Sequence, residues 1–205
     1  MQITIVGTGG MARGIATRAL AGGHDVTLVG TEKSKAEALA GELGGGAQAS
    51  DSVSGDVVLL AVPYAAAADV LGAHAGDIAG KVVVDITNPV DFNTFEPLSL
   101  DAGSGAQEIA DAAPEGAHVV KAFNTTFAGT LLEGNVAGQP LDVFIAGDDE
   151  AAKATVRQLV EDGGMRAVDA GPLRRARELE ALGYLHMAVQ QPLDTGFSST
   201  VKVVA

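Results

Sequence analysis

The sequence predicts an α/β protein built on a doubly wound, mostly parallel sheet. Two observations carry this expectation. Short apolar runs alternate with helix-compatible stretches from the first residues onward, the pattern of repeated β–α units. Those runs also lack strict apolar/polar alternation, which marks strands covered by helices on both faces. With 205 residues, 47% of them hydrophobic, the chain is long enough to bury a full core.

The elements follow in order. "QITIVG" opens as a strand at Gln2, and a helix spans Gly10–Ala21. "DVTLVG" (residues 25–30) is the second strand. "TEKSKAEALAGEL" is a helix, because Ala36, Leu39, Ala40 and Leu43 recur at helical spacing. "GGGAQAS" holds a short strand between glycine turns. "DVVLLAVP" (residues 56–63) is a buried strand ended by Pro63, which has no donor for a ladder bond. "YAAAADVLGAHAG" is a helix, and "KVVVDITNP" (residues 81–89) is another strand ended by proline. "PVDFNTFEPLSLDAGSGAQ" has little periodicity and reads as a long loop, a common home for function.

A helix near residues 104–113 and the strand "AHVVKAF" come next, and "NTTFAGTLLEGNVAGQP" holds a short helix at most. "LDVFIAGDD" is a strand, residues 149–161 a helix, and "MRAVDAG" a strand. From residue 172 to about 190 runs an amphipathic helix with Leu179, Leu182, Leu185 and Val189 as its apolar stripe. That stripe suits burial against the sheet or pairing of two copies as a homodimer. "GFSSTVKVVA" has the content of a closing strand.

The net charge of −13 disfavours nonspecific binding to nucleic acid. Cysteine is absent, so disulfides and thiolate metal sites are excluded. No apolar run approaches the roughly 20 residues of a membrane helix. The first strand begins at Gln2, so no signal peptide and a cytoplasmic location are expected. An acidic protein that binds an anionic cofactor must place its few cations locally.

Gly7, Gly9 and Ala12 fit G-x-G-x-x-A between a strand and a helix. In a Rossmann-type sheet each position has a physical role. Gly7 permits the tight turn. Gly9 lets a pyrophosphate approach the backbone. Ala12 allows close helix–strand packing, and Gly14 relieves crowding further on. Thr8, Gly10 and Met11 complete the turn and the helix start, whose free N–H groups and dipole favour phosphate.

NAD-binding sheets usually carry an acidic residue at the end of the second strand. Here Gly30 stands there, which tolerates a 2'-phosphate. Thr31, Lys33, Lys35 and Arg13 are the candidate partners of that phosphate, so NADP is expected rather than NAD. Glu32 is the residue that would instead hold ribose hydroxyls, and both lysines also fit a solvated helix face.

Ligands of such sheets lie beyond the carboxyl ends of the strands. Ala61, Val62 and Pro63 end one strand there, Asn88 and Pro89 a second, and Asn124 and Thr126 a third. Asn88 and Asn124 are candidates to bond a nicotinamide carboxamide; both also suit turns. No catalytic acid–base pair is evident. His24 and His118 look like turn residues, His74 like a helix C-cap, and His186 like a residue bordering a substrate. No pair of histidines has metal-ligand spacing on one element. Alcohol dehydrogenation needs a positioned proton acceptor. Hydride transfer between two ring cofactors needs mainly stacking, and this chain suits the second.

"GTGGMARGIATRAL", "AVP", "NP", "FIAGDDEAAKATVRQLVEDGG" and "DAGPLRRARELEAL" together resemble the NADPH-dependent reductases of the deazaflavin coenzyme F420. "AGDD" (residues 146–149) and "DAGPL" (residues 169–173) are more specific than the glycine turn. "VKAFNT" (residues 120–125) is similar to the oxidoreductase domain of membrane ferric reductases. The resemblance implies a dinucleotide-binding domain over residues 1–123 and a small C-terminal domain over residues 124–205 that completes a cleft. It implies NADP on the glycine turn and coenzyme F420 stacked on the nicotinamide.

Family members often carry Ser-Arg where Thr31 and Glu32 stand. Some carry His-Thr-Ile where this chain has Asn124, Thr125 and Thr126, which keeps a flavin (FMN or FAD) as the alternative acceptor. A flavin or ferric reductase and a nonenzymatic NADP sensor are the competing functions. Arg174, Arg175 and Arg177 sit where a helix dipole disfavours cations; they suit either an anionic ligand tail or pairing with Glu178 and Glu180.

Overall fold

Strands β1 (Gln2–Val6), β2 (Asp25–Val29), β3 (Ala47–Ala49), β4 (Val57–Leu60) and β5 (Val82–Asp85) alternate with helices α1 (Gly10–Ala21), α2 (Lys33–Leu43), α3 (Tyr64–Ala73) and the short α4 (Ala75–Ile78). The computed structural model describes residues 1–91, 94 and 96–204. Residues 92, 93 and 95 of the expected long loop, and residue 205 of the expected closing strand, lie outside the described residues. The flanks of that loop form a small antiparallel pair, β6 (Val90–Asp91) with β7 (Glu96–Pro97). Beyond it come α5 (Gly105–Ala112), β8 (His118–Lys121), α6 (Ala128–Glu133) and a two-residue pair, β9 (Asn135–Val136) with β10 (Gln139–Pro140). The chain closes with β11 (Asp142–Gly147), α7 (Glu150–Asp162), β12 (Arg166–Gly171), a 3-10 turn (Leu173–Arg175), α8 (Ala176–Ala188) and α9 (Gln190–Leu193).

The eight-stranded sheet has the order β3-β2-β1-β4-β5-β8-β11-β12. The first six are parallel, and the order reverses between β1 and β4, the switch point where such sheets open a crevice. β11 runs antiparallel to β8, and β12 runs parallel to β11. The chain beyond residue 123 therefore continues the same sheet.

Successive residues of each strand feed opposite faces. Ile5, Leu59 and Val84 pack under α1, α2, α6 and α7 through Ile15, Leu39, Leu131 and Val156. Val6, Leu60 and Val83 pack under α3, α5 and α8 through Leu71, Ile109 and Ala176. Both faces being covered explains the unbroken apolar strands.

Two expectations are corrected. Residues 196–204 form no strand; they lie as a strap whose Val203 N–H and Lys202 Nζ bond the Asp142 carboxylate at 2.9 and 3.0 Å. In α8 the buried face is Ala176, Leu179, Glu180, Gly183 and His186, while Leu185 is 61% exposed. This face is turned by roughly a third of a revolution from the leucine stripe, at about 100° per residue. The reason lies in the partners of Glu180, a buried lysine and a helix start, described next.

Candidate functional site

Backbone geometry builds the glycine turn. Gly7 takes φ +129°, a value that side chains rarely allow. A Cβ there would stand 2.1 Å from the Ala61 carbonyl oxygen, and the Gly7 N–H donates to Val29 O at 2.8 Å. Gly9 caps α1 with no side-chain capping bond and no acidic residue in the first turn. A Cβ on Gly9 would meet nothing within 4 Å. An uncapped start of a 12-residue helix thus borders open space, a cradle that fits an anionic pyrophosphate. Ala12 is fully buried in the core. Gly10 and Gly14 also set the helix packing, since Cβ atoms there would stand 3.1 Å from Ala128 Cβ and 2.7 Å from Leu131 Cβ. They let α6 lie against α1 and bring residues 127–129 to the turn.

Beyond the turn lies a cleft of about 510 Å³. It is lined by Gly9, Gly10 and Met11 of the turn, by Ala61, Val62 and Pro63 after β4, and by Asn88, Asn124 and Thr126 after β5 and β8. The structure thus brings nine of the sequence-predicted residues around one cavity. Thr87 lines it too, from the same strand end in "DITNP" that sequence places at this edge, while Ile86, Tyr64, Phe127, Met187 and Phe197 add walls that sequence pattern does not single out.

The other predicted residues stand elsewhere. Gly7 and Ala12 are packed beneath the turn, and the Thr8 methyl would lie 2.9 Å from a Cβ on Gly30. Pro89 is buried toward α5, where a Cβ on Gly105 would meet its ring at 2.9 Å. Thr31 is exposed. Arg13 pairs with Glu42, Lys33 with Asp51 at 3.0 Å, and Lys35 with Glu32 at 2.6 Å. All three are exposed pairs, which contribute little stability and exchange partners at small cost. Of the cluster at the start of α8, Arg175 and Arg177 pair with Glu178 on the surface.

Asn88 and Asn124 face each other. Asn88 Nδ2 donates to Asn124 O at 2.8 Å, and Asn124 Nδ2 donates to Asn88 Oδ1 at 3.0 Å and to Leu179 O at 2.9 Å. Gly183 makes room for the pair, since a Cβ there would stand 2.8 Å from Asn88 Oδ1. Asn124 Oδ1 and Thr87 Oγ1 are buried with no hydrogen-bond partner, a state that costs free energy until a ligand or rearrangement supplies one. Just before Asn124, Phe123 is fully buried with φ +61°. A bulky residue held there stores strain, a common mark of a functional turn.

Beneath this edge lies a buried ionic network. Lys121 is fully buried, and its Nζ donates to Asp85 Oδ2 at 2.8 Å, Glu180 Oε1 at 2.9 Å and Thr87 O at 2.5 Å. Glu180 also accepts from the N–H groups of Gly105 and Ala106 at 3.0 and 3.1 Å. Asp85 Oδ1 accepts from Thr87 N–H at 2.8 Å. One cation with two carboxylates thus ties β5, β8, α5 and α8 together and sets the backbone at Thr87. The signals for it in the sequence are a lysine inside "VVKAF" and an aspartate inside "VVVDIT", since a charge in a buried strand requires a partner.

His186 does not line the cleft. Its Nδ1 lies 3.1 Å from Thr125 O, an acceptor only, so Nδ1 carries a proton; Nε2 lies 2.9 Å from Ser199 Oγ. Burial pushes its pKa down, and the bond to Thr125 O opposes this only in part. His24 stands in the turn before β2, His74 is the C-cap of α3, and His118, expected in a turn, is instead the first residue of β8, paired with Val82 in the ladder. Among the described residues, no group of three His, Cys, Asp or Glu side chains can hold a metal ion. No helix among them is long and apolar enough to cross a membrane.

Among the described lining residues there is no Asp, Glu, His, Lys, Arg or Cys. Tyr64 is the one with an ionisable side chain; its hydroxyl donates to Glu108, and burial followed by that bond raises its pKa. Such walls accept flat apolar rings and offer amide and hydroxyl groups, without a strong acid or base.

The family model described as "NADP oxidoreductase coenzyme F420-dependent" matches residues 2–89. The F420-dependent NADP reductase of Methanothermobacter thermautotrophicus is 31% identical over 202 residues, covering 89% of this chain and 86% of that one. Metalloreductase STEAP3 of Rattus norvegicus is 30% identical over 181 residues, covering 88% of this chain, which spans 36% of that longer protein. A crystal structure of a proposed F420-dependent NADP reductase from Arthrobacter sp. FB24 matches with a TM-score of 0.84 at 30% identity, covering 99% of both chains. With that identity holding over nearly the full length of a relative, the chain belongs to the coenzyme F420-dependent NADP oxidoreductase family.

Proposed function

We propose that this NADP oxidoreductase moves a hydride between NADP(H) and the deazaflavin coenzyme F420. The observation that carries the reading is a cleft bordered by an uncapped glycine turn and lined by apolar and amide groups, with no carboxylate, imidazole or amine on its described walls. Dehydrogenation of an alcohol needs a base beside the hydroxyl. Ring-to-ring hydride transfer needs two flat systems held face to face with water kept out.

In this reading residues 1–123 carry the dinucleotide and residues 124–205 complete the cleft. Residues 7–13 hold the pyrophosphate. Thr31, Lys33 and Lys35, with Arg13, meet the 2'-phosphate by exchanging their present carboxylate partners. When bound, the nicotinamide supplies or accepts the hydride. Ala61, Val62 and Pro63 flank its ribose and ring. Asn124 Oδ1, which lacks a donor, takes one from the carboxamide, and Asn88 holds Asn124 in place, with Pro89 and Thr126 shaping the edge.

Mixing the protein with NADPH and oxidised F420 in a stopped-flow instrument tests the reading. Bleaching of the deazaflavin absorbance is expected, with NADH far slower. Reduction of FMN in place of F420 would favour a flavin or ferric reductase, the reading supported by residues 120–125 and by the metalloreductase likeness. Tight NADP binding with neither turnover would leave a sensor.

A further inference from the structure

Phe197 combines three features that do not belong together in a surface residue. It is a large aromatic left 44% exposed. Its φ is +61°, in a turn where Asp194 and Gly196 also have positive φ, at 51° and 56°. And it lines the same cleft as the glycine turn. A bulky residue in the left-handed region is strained, and such strain persists only where the surroundings over-determine it. They do so here. Thr195 N–H donates to Gln190 O at 3.2 Å and Ser198 N–H to Thr195 O at 3.0 Å, while the Thr195 hydroxyl donates to Gln190 Oε1 and Ser199 Oγ lies 3.0 Å from it. Gln190 is itself buried.

The Phe197 ring meets Phe127 edge-on, with centroids 5.1 Å apart at 86°. Phe127 in turn lies over the His186 ring at 4.3 Å and 30°. The aromatic row therefore has a supported inner end and a bare outer end. The strap after α9 fixes a ring at the cleft mouth and leaves part of its surface open to solvent.

We infer that Phe197 is the residue that receives the second flat ring system and sets which acceptor the cleft prefers, independently of NADP(H) binding. The inference rests on the ring-to-ring reading of this site. It assigns acceptor recognition to the C-terminal strap, apart from the glycine turn. Aromatic pairs contribute about 0.5–1.5 kcal/mol beyond area burial, which corresponds to roughly a three- to tenfold change in affinity.

The test is equilibrium binding of oxidised F420 and of FMN to the NADP+-loaded protein, read by quenching of ring fluorescence, in the wild type, Phe197→Gly and Phe197→Tyr. Glycine accepts the positive φ, so Phe197→Gly removes the ring and relieves the strain together. It is expected to melt no lower than the wild type and to weaken the preferred acceptor about three- to tenfold. NADP+ affinity is expected to change less than about twofold, and Phe197→Tyr is expected to restore acceptor binding. Unchanged acceptor affinity in Phe197→Gly, an equal loss of NADP+ affinity, or a wild type that binds neither ring overturns the inference. A wild type that binds a ring tightly but transfers no hydride to it sinks the proposed function while the Gly and Tyr variants still decide the role of Phe197.

Discussion

The glycine turn and helix α8 border the same cleft yet are held there by different means. The turn is held by steric demands a few residues long. Gly7 cannot carry a side chain because the end of β4 lies 2.1 Å from where a Cβ would be. Helix α8 is held by contacts that span the chain. Glu180 reaches Lys121, and Gly183 admits Asn88. The first region turns a polar helix end toward the cleft and its apolar side chains toward the core. The second buries Glu180, His186 and a glycine and leaves Leu185 outside. A local rule predicts the first arrangement. The second appears only once the partners are known.

Substitutions that attack each region separate the two kinds of control. The largest effect is expected from Gly7→Val, where strain at φ +129° adds to a clash with backbone. Loss of more than about 3 kcal/mol and of NADP(H) binding is expected, read by thermal melting and dinucleotide fluorescence. Next, Lys121→Met strands two buried carboxylates, which costs about 3–5 kcal/mol. The triple variant Asp85→Asn, Lys121→Met, Glu180→Gln is expected to regain much of that stability. A triple variant no more stable than the single one would show that the lysine acts by packing and not by charge.

Asp142 gives a pH-dependent test within the C-terminal region. Burial pushes its carboxyl up, but bonds from Arg166, the Val203 N–H and Lys202 outweigh this and hold it at about 2, below the ordinary 3.8. A depressed carboxyl adds stability that is complete above the unfolded value and is lost as pH falls through the folded one. Between about pH 4 and pH 2, about 2 kcal/mol is expected to disappear. Asp142→Asn is expected to flatten that part of a stability-against-pH curve. The smallest effect is expected at the 2'-phosphate. Lys33→Ala and Lys35→Ala remove exposed pairs that add little to stability. Each is expected to raise the Kd for NADPH severalfold and leave that for NADH nearly unchanged.

The parallel core is legible in the sequence because its central strands are buried on both sides and most of its turns are punctuated by glycine or proline. The nine cleft-lining residues named from sequence sit at strand ends or at a helix start, where the fold class itself brings backbone to one edge. Phe127, Met187 and Phe197 escape a sequence reading because nothing in their neighbours' spacing distinguishes a cleft wall from a core stripe. The strap after α9 has strand content in "VKVV", yet Asp142 captures it by hydrogen bonds from Val203 N–H and Lys202 instead.

By itself the sequence determined the mostly parallel α/β frame, the glycine turn and the absence of thiol chemistry, since these follow from side-chain size, backbone freedom and short-range periodicity. Tertiary structure alone decided which face of α8 turns inward, where the two asparagines meet, and which rings stand at the cleft mouth. Those outcomes depend on pairing charges and amides up to 75 residues apart in the chain. No window on the sequence contains both partners of such a pair.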